Sequence, residues 1–384
     1  MPTMHVEYSW TPYAESVGGI DSALDCFLRY AEQHWPGRIE VKSLSGEQGG
    51  SPASPCAARI AIRPICGRKA SLVPVNLRFL LSLWRNKSRC DDHSVLFLHR
   101  SDHALAYLAD DRPPLVLYVH GSAEHFSLPN ESKLRLLRAA IPFVEEAAIR
   151  RARHIFVCSE RGRRYYAQQH PRYARRFEVL PNAVDGNRFR LIGTGEARRA
   201  LGIDQAVFLV LFAGRIEEVK DPLLWANAFH QVCARLPDAR GAILGSGAQA
   251  PEMLRMLECY GISNRLLCSK GVPEAELALW YNAADVLLLT SHFEGSPRVV
   301  VEALACGTPV VSTDVGDAPE MRASGAPLTI CDSRDPMALA EAAVGYMGCE
   351  KKPCPEFVES HSFATLFGRV LEVLKAAAEG TAGV

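Results

Sequence analysis

The sequence predicts an α/β protein with two parallel-sheet domains. Short apolar runs of strand length alternate with helix-period patterns along most of the chain, the signature of strands joined by crossover helices. The 384 residues suffice for two domains at roughly 100–200 residues each. A stretch with several glycines and few large apolar residues, 187–206, separates the two series.

In the first half, strand patterns fall at residues 5–9, 39–44, 59–62, 94–98, 115–119, 154–158 and 177–180. The spacing predicts a helix over 20–32, with Leu24, Phe27, Leu28 and Ala31 on one face. A second helical stretch covers 131–152 and is interrupted at Pro142, which lacks a backbone donor and crowds the preceding turn. Residues 45–55 are rich in Gly, Ser and Pro and read as a loop. In the second half, residues 207–213 form an unbroken apolar run, as in a strand buried on both faces. Asp221 and Pro222 then suit the cap and first position of a helix whose core stripe is Trp225, Phe229, Val232 and Leu236. Further strands are expected at 242–244, 265–269, 285–290 and 309–312, with helices at 252–259, 274–284 and 298–306. The linker is placed in 187–206, around Gly193, Gly195 and Gly202. The domains are therefore read as 1–190 and 191–360. The remainder, 361–384, carries a last helix over 363–378 that is expected to pack back on the first domain.

Composition narrows the function. Hydrophobic residues at 48% and charged residues at 22% fit a globular protein, and exclude disordered, collagen-like and coiled-coil chains. The longest apolar runs, 206–213 and 286–289, fall far short of the ~20 residues of a membrane helix. Residues 1–10 carry no basic segment followed by an apolar stretch, so no signal peptide is read there and a cytoplasmic location is expected. The twelve cysteines are scattered without a C-x-x-C, which reads as buried reduced thiols rather than a metal site. The zero net charge hides 27 Lys/Arg against 19 Asp/Glu in residues 1–190 and 16 against 24 thereafter. Nine arginines between Arg150 and Arg176 are either solvated helix faces or a surface for something anionic. No finger, RNP or basic-zipper pattern points to nucleic acid. In residues 72–89, Leu77, Phe79, Leu80, Leu81, Leu83 and Trp84 are mixed with Arg78, Arg85, Lys87 and Arg89. That mixture fits a core helix with a wet face, or a peripheral contact with an anionic membrane surface.

The chemistry concentrates in Glu294-Gly-Ser-Pro-Arg-Val-Val-Val-Glu302-Ala-Leu-Ala-Cys-Gly307-Thr-Pro309. Ser296 suits an N-cap and Pro297 a first helical position, while Gly307 and Pro309 stop the helix. The helix thus opens at the carboxyl end of strand 285–290, where open α/β sheets bind ligands. Its free N–H groups and positive dipole end suit a phosphate or sugar hydroxyls. Glu294 in the loop and Glu302 within the helix straddle that start, placed to grip two parts of an extended polar ligand.

This stretch resembles the E-x7-E signature of retaining glycosyltransferases of family 4. That family has the GT-B fold, two Rossmann-like domains facing each other across a cleft. Other segments match in order. Phe212-Ala-Gly214-Arg215-Ile-Glu-Glu-Val-Lys220-Asp-Pro resembles the family's Gly-Arg…Lys diphosphate motif. Val179-Leu-Pro181-Asn182-Ala-Val-Asp185 resembles its Pro-Asn-Gly-Val-Asp segment, with Ala183 in place of the usual Gly. Val157-Cys-Ser159 resembles its Val-x-Ser strand end, and Gly18-Gly19 its early Gly-Gly loop. Gly245-Ser246-Gly247 stands where the family has Gly-Asp/Glu-Gly, with Ser246 replacing the acid.

The resemblance implies that Glu294 contacts the donor sugar and Glu302 holds the ribose hydroxyls. The backbone of Gly295, Ser296, Pro297 and Arg298, with Val299 beside it, would approach the sugar and diphosphate. Gly18, Gly19, Gly214, Gly245 and Gly247 would lie near the nucleotide. Transfer from a nucleotide sugar expels a diphosphate whose charge grows as the bond breaks. Arg215 and Lys220, in one loop after a buried strand, are fixed cations suited to that charge. The alternative is a loop salt bridge to Glu217 or Glu218. His120, at the end of strand 115–119, resembles the histidine that reaches the donor sugar, or is a structural strand-end residue. The cluster His99-Arg100-Ser-Asp102-His103 either lines the acceptor side or is structural.

The implied activity is retaining, metal-independent transfer of a hexose or N-acetylhexosamine, since no D-x-D follows a strand. A UDP-sugar is the expected donor, with GDP-mannose second. The nucleotide sugar is a co-substrate, and no cofactor or metal is expected. The acceptor would be a sugar-containing molecule of polysaccharide or glycolipid synthesis, including lipid-linked ones met at the inner membrane face. A soluble small acceptor, or another GT-B activity such as an epimerase or phosphorylase, is the alternative.

Overall fold

The computed structural model describes residues 2–7, 19–45, 60–67, 75–86, 93–109, 112–120, 135–269 and 271–380. Gly18, Lys87, Arg89 and the expected loop from residue 46 onward lie outside them. The chain forms two units, Met1–Pro181 with Phe363–Val384, and Asn182–Ser362.

The first unit carries β1 (Thr3–Glu7), α1 (Gly19–His34), β2 (Arg38–Ser45), β3 (Ile60–Gly67), α2 (Val75–Arg85) and β4 (Ser94–Leu98). It continues with β5 (Leu115–Val119), α3 (Arg135–Arg151), β6 (His154–Val157), α4 (Glu160–Gln169) and β7 (Phe177–Val179). Among the described residues the strands form one parallel sheet in the order β3-β2-β1-β4-β5-β6-β7. Every residue of β4 and β5 is buried, as unbroken apolar runs predict for central parallel strands. Leu24, Phe27, Leu28 and Ala31 of α1 are buried as their spacing requires. β3 is longer than its sequence pattern because it runs through Pro64. A proline lacks the ladder donor but is tolerated at a sheet edge, and β3 is the edge strand. α3 likewise continues through Pro142, which is exposed, so water can satisfy the carbonyl left unpaired.

The second unit carries α5 (Thr194–Leu201), β8 (Leu209–Ala213), α6 (Pro222–Arg235), β9 (Arg240–Leu244), α7 (Ala250–Cys259), β10 (Leu266–Ser269) and α8 (Glu274–Ala283). Then come β11 (Val286–Leu289), α9 (Arg298–Ala305), β12 (Val310–Thr313), α10 (Ala318–Ala323), β13 (Leu328–Cys331), α11 (Pro336–Val344) and α12 (Pro355–Ser360). Its parallel sheet runs β10-β9-β8-β11-β12-β13. The order reverses between β8 and β11, so the loops leaving their carboxyl ends are neighbours.

The segment read as a linker holds α5 instead. Gly193 (φ 95°) and Gly202 (φ 67°) mark the ends of that helix rather than a flexible connection. Arg198 pins it to the core, donating to Ala283 O at 3.0 Å and to Asp285 Oδ2 at 2.7 Å.

A last helix, α13 (Phe363–Ala378), packs on α1 and β4 of the first unit. The Phe367 ring lies 5.5 Å from that of Phe27, and Leu366, Val370, Leu371 and Leu374 are buried. Among the described residues no helix is long and apolar enough to cross a membrane.

Candidate active site

The site grows from the switch point of the second sheet. β8 ends at Ala213, and its loop carries Arg215 and Lys220 before α6. β11 ends at Leu289, and its loop carries Glu294 before α9. Backbone contacts lock the two loops together. His292 N donates to Val219 O at 2.8 Å, and the Thr290 hydroxyl donates to Lys220 O at 3.0 Å and Asp221 O at 2.9 Å. Across this seam the Lys220 ammonium donates to Glu294 Oε1, which also accepts from Ser291 Oγ at 2.6 Å. Both side chains are mostly shielded, at 16% and 12% exposure. Arg215 instead pairs with Glu217 at 2.8 Å, and both are exposed.

The glycines expected near the nucleotide have a steric reason. The β8 and β9 loops are zipped by Gly214 N to Leu244 O at 3.0 Å, Ile216 N to Ser246 O at 2.9 Å and Gln249 N to Ile216 O at 3.0 Å. A Cβ on Gly245 would stand 1.8 Å from Gly214 O, and one on Gly247 2.3 Å from Ile216 O. Only glycine lets the two backbones meet there.

The start of α9 departs from the sequence expectation. Pro297, not Ser296, is the cap residue, and no side chain caps the helix. Ser296 is engaged elsewhere: its hydroxyl accepts from Asn182 N at 3.0 Å, and its carbonyl accepts from the Asn182 amide. Within α9, Glu302 is buried. Arg298 Nη2 donates to its Oε1 at 2.9 Å, and the Tyr281 hydroxyl donates to its Oε2 at 2.9 Å. Burial, with Glu302 beside it, pushes the Tyr281 phenol well up, so it stays a donor. Lys351 in turn donates to Tyr281 O at 3.0 Å.

The turn after β12 packs on the same loop. A Cβ on Gly316 would lie 2.7 Å from Gly295 O and 3.3 Å from Glu294 Cβ. Next to it, Asp317 is buried beside Ser296. Burial pushes its carboxyl up to about 7, and Glu320 and Glu294 add to the shift.

In the first unit, β1, β4 and β5 are adjacent, and polar residues gather at their carboxyl ends. His99 Nδ1 lies 2.8 Å from His120 Nε2, with the rings stacked 5.1 Å apart. Burial holds His120 down to about 3, and burial with His120 and His103 beside it pushes His99 well below its ordinary value, so both are neutral near pH 7. Arg100 makes a two-point pair with Asp102 at 2.9 and 3.0 Å. Glu7, fully buried, binds Lys42 at 3.1 Å and accepts from the Tyr107 hydroxyl. Among the described residues no group of three or more His, Cys, Asp or Glu is arranged to hold a metal ion.

Many solved structures share this fold. Sucrose-phosphate synthase from Thermosynechococcus elongatus matches with a TM-score of 0.73 at 15% identity, over 99% of this chain and 97% of that one. HepE from Anabaena, solved in complex with UDP and glucose, matches at 0.67 and 18% identity over 98% and 96%. Residues 28–188 match the family model described as Glycosyltransferase Family 4, and residues 194–353 the model described as Glycosyl transferases group 1. The chain belongs to family 4 of the GT-B glycosyltransferases. A curated relative, D-inositol 3-phosphate glycosyltransferase of Frankia alni, is 35% identical over 175 residues, which is 43% of each chain. The chain spans less than half the length of the curated relatives it matches.

In this family 4 member, Lys220 and Glu294 meet directly, while Glu302 sits in a separate buried cluster with Arg298. Gly214, Gly245 and Gly247 form the zipped loops, and Gly19 opens α1. Sequence reasoning missed Tyr281, Asp317 and Asn182 as partners of the signature stretch. Asn182 was within reach, because it lies in the quoted Pro-Asn segment. Tyr281 sits in a helix whose pattern shows only burial.

Proposed function

We propose that the protein transfers a hexose or N-acetylhexosamine from a UDP-sugar to a sugar-containing acceptor, with retention and without a metal ion. The observation that carries this reading is the Lys220–Glu294 pair at the carboxyl ends of β8 and β11, ahead of a helix N-terminus left without a side-chain cap. An ammonium has three donors and Glu294 takes one, so Lys220 retains N–H groups for a phosphate oxygen. As the glycosidic bond breaks, negative charge grows on the leaving diphosphate, and a preorganised cation stabilises it most at that point. The exposed Arg215–Glu217 pair is of a kind worth ~0–1 kcal/mol, so Arg215 can exchange its partner for a phosphate at little cost. Glu294 then faces the donor sugar and the buried Glu302 the ribose. The leaving phosphate oxygen takes the acceptor proton on the same face. Acceptors of glycolipid or polysaccharide synthesis fit the basic first half.

A second acceptor reading has its own support. The curated relatives are named for D-inositol 3-phosphate, which favours a small phosphorylated polyol. A thermal-shift panel of UDP, GDP, UDP-glucose, UDP-N-acetylglucosamine and GDP-mannose tests the donor, since a ligand of the folded state raises the melting temperature. Transfer assays with inositol phosphate and with lipid-linked sugars, each with excess EDTA, then separate the acceptors. Silence with every uridine nucleotide, or activity abolished by EDTA and restored by Mg²⁺, would overturn the reading.

A further inference from the structure

Arg334 lies in the turn between β13 and α11, outside every motif quoted above. Its Nη1 donates to Ser291 O at 2.9 Å, and its Nη2 donates to Thr290 O at 2.8 Å and to Asp221 Oδ2. These acceptors lie in the two segments that carry the site. Asp221 directly follows Lys220, and Ser291 bears the hydroxyl that binds Glu294. Asp221 is the one non-glycine residue with positive φ among the described residues, at 43°. Its other oxygen caps α6, accepting from Leu224 N at 3.1 Å. His292 Nε2 stands 3.4 Å from the oxygen that Arg334 holds.

We propose that Arg334 is a positioning residue whose guanidinium clasps the β8 and β11 loops and so fixes Lys220 against Glu294. A guanidinium fork with several donors in one plane serves two carbonyls and a carboxylate at once. Releasing it frees a strained residue, Asp221, next to Lys220. The Lys220 ammonium then loses its fixed direction. The clasp is read from the protein alone. Its bearing on a diphosphate rests on the function proposed above.

The test therefore has two independent readouts. In the first, ligand-free protein is reductively methylated, and the labelling rates of Lys220, Lys351 and Lys352 are read by peptide mass spectrometry. Lys352 is exposed and serves as the reference, while half-buried Lys351, whose Nζ donates to Tyr281 O, Asn282 O and Thr308 Oγ1, reports whether the fold is intact. Arg334→Gln is expected to label Lys220 at least tenfold faster with Lys351 still protected. Arg334→Lys, which keeps the charge but loses the planar fork, is expected to fall between. Wild-type protection of Lys220 in Arg334→Gln overturns the proposal. If Lys351 loses protection in step, that variant has unfolded and Arg334→Lys decides by the same criterion. The second readout is calorimetry with UDP and with uridine. Arg334→Gln is expected to bind UDP about tenfold more weakly and uridine unchanged, with Arg334→Lys recovering part of the loss. Equal weakening of both ligands marks a general structural role and overturns the proposal. Wild-type protein that binds neither ligand overturns the functional reading instead, and the labelling result still decides the clasp.

Discussion

Tyr281, near the end of α8, donates its hydroxyl proton to Glu302 Oε2 in α9 over 2.9 Å. The carboxylate is thus held by a neutral donor from one helix and by Arg298 from its own. Two oriented donors fix the plane of a buried carboxylate that could otherwise rotate. Tyr281→Phe should cost about 1–3 kcal/mol of stability, because a buried charged group loses a partner. It should also weaken UDP binding, since Glu302 is the proposed ribose ligand. Denaturant unfolding and calorimetry measure the two effects. Unchanged UDP affinity in a destabilised variant would show that the Tyr281 hydroxyl does not set the geometry of Glu302.

The two signature glutamates should separate nucleotide grip from sugar grip. Glu302→Gln is expected to weaken both UDP and the nucleotide sugar. Glu294→Gln is expected to leave UDP affinity near wild type while lowering transfer sharply. Each loss should be that of a charged hydrogen bond, about 1.5–3 kcal/mol. Reversal of this pattern in calorimetry would mean that the donor lies the other way along α9.

Asp317 gives the fold a pH dependence. In an unfolded chain its carboxyl loses its proton near the ordinary pKa of 3.8, whereas burial pushes it up to about 7 in the folded protein. Between those values the folded state holds a proton that the unfolded state has released. This group's favourable contribution is full below about pH 4 and is lost as pH rises to about 7. Asp317→Asn should therefore be more stable than wild type at pH 8, by about 2–4 kcal/mol. The gap should shrink steadily as pH falls toward 5. A gap independent of pH in denaturant titrations would show that Asp317 is not the titrating group.

The outer face of α2 predicts a surface interaction. Leu77, Leu81 and Trp84 recur at helical spacing and are 37%, 53% and 67% exposed, on the helix that also carries Arg78 and Arg85. The protein should float with vesicles rich in phosphatidylglycerol at low salt and be released at high salt, as each basic residue near such a surface contributes about 1 kcal/mol. Leu81→Ser with Trp84→Ser should lower the bound fraction severalfold. No flotation of the wild type at low salt would favour a soluble acceptor.

What the sequence revealed follows from how local each signal is. Asp221 and Pro222 announce α6 because a cap and a fixed φ act within one turn, and Asp221 does accept from Leu224 N. The strands at Ser94–Leu98 and Leu115–Val119 are legible because central parallel strands are apolar throughout. Gly193 and Gly202 misled, since a glycine that ends a helix and one that loosens a linker read alike until φ is known. Ser296 misled for a different reason: a partner 114 positions away takes its hydroxyl. Arg334 and Asp317 carry no local signature, because the atoms that define their roles arrive from other loops.

The return of α13 to the first unit has a consequence for synthesis. During translation, residues 2–181 leave the ribosome long before residues 363–378 exist. Until then Phe27 and the apolar side of α1 lack their cover of Leu366, Phe367, Val370 and Leu371. The second unit, contiguous from Asn182 to Ser362, holds its whole sheet and can close first. The nascent chain thus matures out of order, with α1 waiting for a helix that is made only after the whole second unit.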